Sequence, residues 1–241
     1  MKYARLIIAA ATLLLFSAAT QVPTYNKTDL MGKFDPSQHD DFALVPQRYC
    51  IKNMYLRTET LKAFIRMAKA AAKDGVTLTL VSGTRNRNRQ IEIWTDKWNR
   101  FSGNDIDRAE EILLYSSMPG TSRHHWGTDF DLNSVEPEYF ESGQGEKVYA
   151  WLEEHAIDFG FFQPYIAKGS DRKEGYREEK WHWSYYPIAH QMLKAYKRMV
   201  SYEDITGFPG ASVAEELRLL DRFVMGITDL NERYDGYYQH Q

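Results

Sequence analysis

Residues 119–133 read PGTSRHHWGTDFDLN. Two histidines, two aspartates, a serine and two glycines stand within this one stretch. Pro119-Gly120 stops helical structure before it. Neutral imidazole and carboxylate are the nitrogen and oxygen donors that zinc accepts. His124 and Asp131 are seven residues apart, and in one regular strand an odd spacing puts side chains on opposite faces. They can share a metal only if the backbone turns between them, and Gly127 is placed to permit that turn. Phe130 and Leu132 then point to a core, and Asp129 and Asp131 to a site. Spacing alone leaves Asp129 open as a ligand in place of Asp131, and His125 stands directly beside His124.

A second stretch, residues 178–185 (EEKWHWSY), offers another carboxylate and another imidazole. Glu179 and His182 would face opposite ways in one strand, so Glu179 is expected on the end of the preceding loop and His182 on the strand. Two imidazoles and one carboxylate leave the fourth zinc position open. A carboxylate that is not a ligand can take a proton from water and later give it to a leaving amine, and Glu179 is the candidate. Arg85, just past a strand end, can supply a cation near a carbonyl oxygen or a substrate carboxylate. Trp181 and Trp183 are most simply core aromatics, and Arg87 a residue of a solvated face.

Outward from these stretches, Thr58 can cap a helix from Glu59 to Lys73, with Leu61, Phe64, Ile65, Ala68 and Ala72 on one face. Gly75 ends it. Val76 to Val81 (VTLTLV) is β-branched and reads as a strand. Helices are expected over Arg89–Trp98, from Asp105 to about Ser116, and over Glu146–Phe159, the last terminated by Gly160. Phe161–Tyr165 and Trp181–Tyr185 read as strands, and Ala167–Glu179 as a mobile polar loop. Helices follow from Ile188 to about Tyr202 and from Ser212 to about Met225, and the tail YYQHQ is expected to fray. Strands are few and short, with no βαβ series. The expectation is an α+β domain: a small sheet carrying the site, flanked by helices, with a C-terminal helical extension.

The chain has 241 residues, 43% hydrophobic and 14% aromatic, so a packed core is within reach. A formal charge of −3 gives no sign of a nucleic-acid binder. Lys2 and Arg5 precede an apolar run from Leu6 to Phe16, and Ser17-Ala18-Ala19 supplies small residues for a signal peptidase. The run is short for a membrane span of roughly twenty residues. Residues 1–19 are therefore expected to be a cleaved signal peptide, leaving no stable membrane anchor and an exported protein, periplasmic or secreted. A single cysteine, Cys50, cannot form an internal disulfide and reads as a small buried hydrophobe.

The S-x-H-x-x-G-x-x-x-D of Ser122, His124, Gly127 and Asp131, followed by E-x-W-H at Glu179, Trp181 and His182, resembles the VanY-type D-alanyl-D-alanine carboxypeptidases. These belong with the wider zinc peptidases that include lysostaphin-type enzymes and the hedgehog fold. Ser82-Gly83-Thr84-Arg85, with Gln90 after it, resembles that family's substrate-binding segment. The resemblance implies a small antiparallel sheet with flanking helices, one zinc ion on His124, Asp131 and His182, and Glu179 as catalytic base. It implies that Arg85, Gln90 and Ser122 contact the substrate's terminal carboxylate or the developing oxyanion. The implied substrate is the D-Ala-D-Ala end of peptidoglycan stem peptides, cleaved by a monomer. An L,D-carboxypeptidase, a D-Ala-D-Ala dipeptidase, a peptidoglycan endopeptidase, or a non-catalytic zinc or peptidoglycan-binding module are the alternatives. The family usually has alanine two residues before the ligand aspartate, and here Asp129 stands there. The expected organisation is a catalytic domain over 20–187 and a C-terminal helical extension over 188–241, packed on the same domain.

Overall fold

A computed structural model describes residues 25–228. The expected signal peptide and the tail YYQHQ lie outside the described residues. In chain order the regular elements are α1 (Lys27–Leu30), β1 (Phe42–Leu44), β2 (Tyr55–Arg57), α2 (Thr58–Lys73), β3 (Leu80–Ser82), α3 (Arg87–Arg100), α4 (Asp105–Ile112), β4 (Asp129–Leu132), α5 (Gly143–His155), β5 (Phe161–Phe162), β6 (His182–Tyr185) and α6 (Tyr186–Met199). Short 3₁₀ turns join several of them. Among the described residues no helix is long and apolar enough to cross a membrane.

Alternation decides which way the central sheet faces. Its strand order is β3-β4-β6-β5, antiparallel throughout, and β1 and β2 form a separate two-stranded sheet. Opposite β4, Asp129 pairs with Ser184, Phe130 with Trp183 and Asp131 with His182. Directly opposed residues project to the same side of a sheet. Phe130, Leu132, Phe161 and Trp183 therefore enter one buried cluster, shared with Phe64 and Met67 of α2 and Val148 and Leu152 of α5. Asp129, Asp131, His182 and Ser184 are left on the other face. All four are buried, although Asp131 also lines an open cleft; a second apolar cluster gathers Trp94 and Trp98 of α3, Trp126, Met192 and Tyr196 of α6, and Leu217 and Phe223 beyond it.

Directed hydrogen bonds tie the second cluster together and to the site stretch. The Trp126 indole donates to Leu30 O (3.0 Å), the Trp94 indole to Pro209 O (2.8 Å), and the Tyr196 hydroxyl to Gly120 O (2.9 Å). Residues 186–228 thus share this second cluster. Arg87, expected on a solvated face, is half-buried and donates to Thr206 O.

Several elements differ from their sequence expectations. The strand over 76–81 is confined to Leu80–Ser82, because β4 ends at Leu132 and Asn133 turns away at φ 62°. Asn133 then serves the upstream residues with its own amide, accepting from Thr79 N–H (3.3 Å) and donating to Thr77 O (2.8 Å). Thr58 is the first residue of α2 rather than its cap, and its hydroxyl donates to Asp41 O (3.1 Å). The helix expected over 212–225 is a 3₁₀ turn followed by a π-type turn at Leu220–Val224, interrupted by Arg218 at φ 50°. The loop over 167–179 is tied down. Buried Arg172 donates to Ile166 O, to Glu174 O (3.0 Å) and to Tyr176 O (2.8 Å).

Candidate metal centre

Ser122 leads into a 3₁₀ turn, Arg123–Trp126, which ends at Gly127 with φ 70°. A side chain there would be strained, and its Cβ would lie 2.3 Å from the Phe42 ring. The turn aims His124 toward β4 and β6 while the chain reverses into β4, as the odd spacing of His124 and Asp131 requires. The His124 Nδ1–H donates to Gly83 O (2.9 Å), which leaves Nε2 bare. His182 is held from the other side: its Nε2–H donates to Asp129 Oδ1 (3.0 Å), which turns Nδ1 toward Asp131 and Glu179. The His124 tautomer follows from the carbonyl its Nδ1 faces, whereas both His182 nitrogens face carboxylates.

His124 Nε2 and His182 Nδ1 converge on one oxygen. Asp131 Oδ1 lies 3.4 Å from His124 Nε2 and 3.3 Å from His182 Nδ1. All three side chains are buried, and their ligand atoms lie within 4.8 Å of one another. Metal–ligand bonds of 2.0–2.1 Å in a tetrahedron imply ligand–ligand separations of about 3.3 Å. Asp131 Oδ1 is buried with no hydrogen-bond donor among the described residues. A buried carboxylate oxygen left without a donor is costly, and a cation would satisfy it. The residues fit a metal.

His125, adjacent to a ligand candidate, is otherwise engaged. Its Nδ1–H donates to Arg85 O (2.6 Å) and its Nε2 accepts from Gly120 N–H (3.1 Å). Burial pushes its pKa down to about 3, so it is neutral and acts as a spacer between the Arg85 and Gly120 backbones. Asp129 also stands outside the triad. It accepts from Arg123 Nε (2.8 Å), from Thr128 Oγ (2.5 Å) and from His182.

Glu179 closes the site from the loop end before β6, with Oε2 3.4 Å from His182 Nδ1. Its backbone is pinned, since Glu179 N–H donates to Tyr165 O (2.9 Å) and Gln163 Nε2 donates to Glu179 O (3.1 Å). Burial raises the Glu179 carboxyl above its usual range, with Asp131 adding to the effect and His182 opposing it. Burial also works against ionised Asp131, but His124 and His182 outweigh it and hold that carboxyl low. Asp129 is held low against burial by Arg123 first, then His182 and Thr128. His182 is pushed well above its ordinary value, because Asp129, Asp131 and Glu179 overcome the penalty of burial.

A small polar pocket adjoins the triad, lined by Arg85, Ser122, Arg123, Tyr165, Tyr176 and Glu179 among others. The Tyr165 and Tyr176 rings meet edge-on at 5.0 Å and form part of its wall. Ser122 Oγ, Arg85 Nε and Arg123 Nη1 are buried and lack hydrogen-bond partners among the described residues. Arg85, Tyr115, His124 and Glu179 also line a wider cleft that runs past Lys97, Val135 and Trp181. Gln90 stands one layer back. Its Nε2 donates to Ser117 O (2.8 Å), and it lines neither the pocket nor the cleft. The motif reading passed over Arg123, Gln163 and Tyr176. Arg123 alone carried a signal, as a guanidinium inside a stretch otherwise destined for burial.

The family model described as VanY, D-alanyl-D-alanine carboxypeptidase, matches residues 53–188. A D-alanyl-D-alanine carboxypeptidase of Enterococcus faecalis is 33% identical over 124 residues, 49% of this chain and 44% of that protein. YodJ of Bacillus subtilis is 32% identical over 163 residues, 65% of this chain and 56% of that protein. The chain thus spans about half the length of these curated relatives. Among solved structures, VanYB in complex with D-alanine-D-alanine aligns with TM-score 0.51 and 24% identity, covering 68% of this chain and 87% of that one. That likeness is one of fold.

Proposed function

The chain belongs to the VanY D-alanyl-D-alanine carboxypeptidase family, and from that premise we propose that it hydrolyses the terminal peptide bond of peptides ending in D-Ala-D-Ala, using one zinc ion. The observation that carries the reading is the convergence of His124 Nε2, Asp131 Oδ1 and His182 Nδ1 beside a buried carboxylate, Glu179, that is outside the triad. His124, Asp131 and His182 would hold the ion. Bound zinc supplies Lewis acidity, which acidifies water and polarises a carbonyl.

The remaining work falls to this chain's own side chains. Glu179, ionised, takes a proton from the attacking water and passes it to the leaving amine nitrogen. Burial raises its proton affinity, which helps it take that proton. Arg85 and Ser122, each with a buried polar atom in want of a partner, receive the peptide's terminal carboxylate or the oxyanion that develops on the scissile carbonyl. Gln90 acts at one remove, through the Ser117 carbonyl. The pocket walled by Tyr165 and Tyr176 is small and polar, which suits a charged chain end and favours an exopeptidase over an endopeptidase. The wider cleft past Trp181 then carries the rest of the stem.

We assign the protein to the cell exterior, where such peptides lie, with peptidoglycan stem peptides as its substrate and residues 1–19 as the export signal. The test is product analysis. Protein beginning at Thr20 would be incubated with a muramyl pentapeptide, a tetrapeptide and free D-Ala-D-Ala, with and without chelator. Loss of one D-Ala from the pentapeptide, abolished by chelator and restored by zinc, is the expected result. Cleavage of the tetrapeptide or the dipeptide alone would move the substrate to L,D-carboxypeptidase or dipeptidase chemistry. Stoichiometric zinc with none of the three cleaved would overturn the reading in favour of an endopeptidase or a binding module.

A further inference from the structure

Asp129 stands where the family pattern has alanine, and it brings buried partners with it. Its Oδ1 receives both the His182 Nε2–H (3.0 Å) and Arg123 Nε (2.8 Å), and its Oδ2 receives the Thr128 hydroxyl (2.5 Å). Arg123 in turn donates through Nη2 to Ser184 Oγ (2.6 Å) and lies over the Trp126 ring at 4.7 Å. Asp129 and Ser184 are direct cross-strand partners, the next pair on the same face as Asp131 and His182. Asp129, Thr128 and Ser184 are 0% exposed and Arg123 is 2% exposed. The unit therefore joins β4, β6 and the turn before β4 at a point behind the His182 ring.

We propose that Asp129 is a positioning residue for the metal site, fixing the tautomer and ring plane of His182 so that Nδ1 is presented toward Asp131 and His124. The inference rests on the zinc reading above. A lone imidazole chooses between two tautomers and two ring flips, and only one combination leaves Nδ1 bare and aimed at the other two ligand atoms. A carboxylate on Nε2–H selects the ring flip before any ion arrives and keeps the proton on Nε2 when Nδ1 takes the ion. The carboxylate would itself be free to turn if unpaired. Arg123 and Thr128 occupy both of its oxygens and hold its plane. Arg123 also supplies the opposite charge that makes a buried carboxylate tolerable here.

The test measures zinc affinity, not turnover. Zinc dissociation constants come from competition with a chromogenic chelator, for the wild type, Asp129→Asn and the double variant Arg123→Met/Asp129→Ala, with folding checked by circular dichroism. The double variant removes both charges together and so avoids stranding a guanidinium. It should bind zinc about 10–100-fold more weakly than the wild type. Asp129→Asn keeps an oxygen acceptor for Nε2–H and should lie closer to the wild type than the double variant does. Cobalt-loaded double variant should show altered d–d absorption relative to the cobalt-loaded wild type. A folded double variant that binds zinc within threefold of the wild type overturns the proposal, as does Asp129→Asn binding as weakly as the double variant. A wild type that binds no zinc would refute the metal reading itself, a separate failure.

Discussion

Replacing Glu179 with glutamine separates three roles that a buried carboxylate beside a metal site could play. Glutamine keeps the size and shape of the side chain and removes its charge. The backbone at this position is fixed by Tyr165 O and by the Gln163 amide, neither of which touches the Glu179 side chain. Loss of a general base costs about 10²–10⁴ in rate, or ~3–5 kcal/mol of barrier at about 1.4 kcal/mol per decade. Zinc affinity should change by less than about threefold, because Glu179 is not one of the three convergent ligand atoms. The metal-free protein gives the third readout. Burial lifts the Glu179 pKa in the folded state above its usual 4.5. The stability associated with its proton is therefore fully present below the unfolded value and is lost as pH rises through the folded value. Glutamine has no such loss, so at neutral pH the chelated variant should melt higher than the chelated wild type, and the gap should close as the pH falls below about 4.5. Pentapeptide kinetics, chelator competition and calorimetry measure the three effects. Full turnover by the variant would remove Glu179 as the base. A tenfold or greater loss of zinc would make it a ligand, and a lower melting temperature would reverse the electrostatic argument.

Other perturbations probe the scaffold and the ligands. His124→Ala and His182→Ala should each lose both zinc and turnover, and a variant with unchanged zinc content would leave the ligand set. Gly127→Ala puts a Cβ 2.3 Å from the Phe42 ring at φ 70°, which should cost about 2–4 kcal/mol and lower the melting temperature by roughly 5–12 °C. A drop of less than 2 °C would mean that the turn relaxes freely. Arg172→Ala strands the Ile166, Glu174 and Tyr176 carbonyls, so cleavage at Glu174 by a glutamate-specific protease should accelerate at least tenfold. An unchanged rate would show that this guanidinium does not hold the loop.

Local patterns marked the stretches that hold the candidate ligands, whereas contacts between distant stretches were not legible. The odd spacing of His124 and Asp131 demanded a turn, and Gly127 supplies it. The alternation through β4 assigned Phe130 and Leu132 to the core, where they lie. The α+β architecture with a small antiparallel sheet was likewise legible from short strands separated by helices. The pairing of Asp131 with His182 was not, because register depends on a strand distant in sequence. For the same reason Asp129 could not be told from a ligand. Its partners Arg123 and His182 are set by the turn and by the cross-strand neighbour. The strand over 76–81 was read as too long, because propensity is silent on where the neighbouring strand ends. The loop over 167–179 looked mobile by composition, yet one arginine secures it through backbone carbonyls that carry no sequence signature.

Charge balance links the metal to the kind of peptide the site would take. Three buried carboxylates, Asp129, Asp131 and Glu179, face two guanidiniums, Arg85 and Arg123. Buried charge is tolerated when it is compensated, and here an excess of negative charge remains. In the metal-free protein a proton on His182 relieves it, which is why three carboxylates raise that imidazole's affinity so far. Nδ1 cannot hold a proton and a metal at once. Zinc binding must therefore expel at least one proton at neutral pH, and apparent affinity should fall about tenfold per pH unit where the apo imidazole is charged. Titration calorimetry in buffers of different ionisation enthalpy counts the protons, and a count of zero at pH 7 would refute the argument. A divalent ion that displaces this proton also takes the local charge from about neutral to net positive, beside Arg85 and Ser122. Peptides with a free terminal carboxylate should accordingly bind the loaded protein far better than the chelated one, whereas the same peptides amidated at the terminus should show little difference.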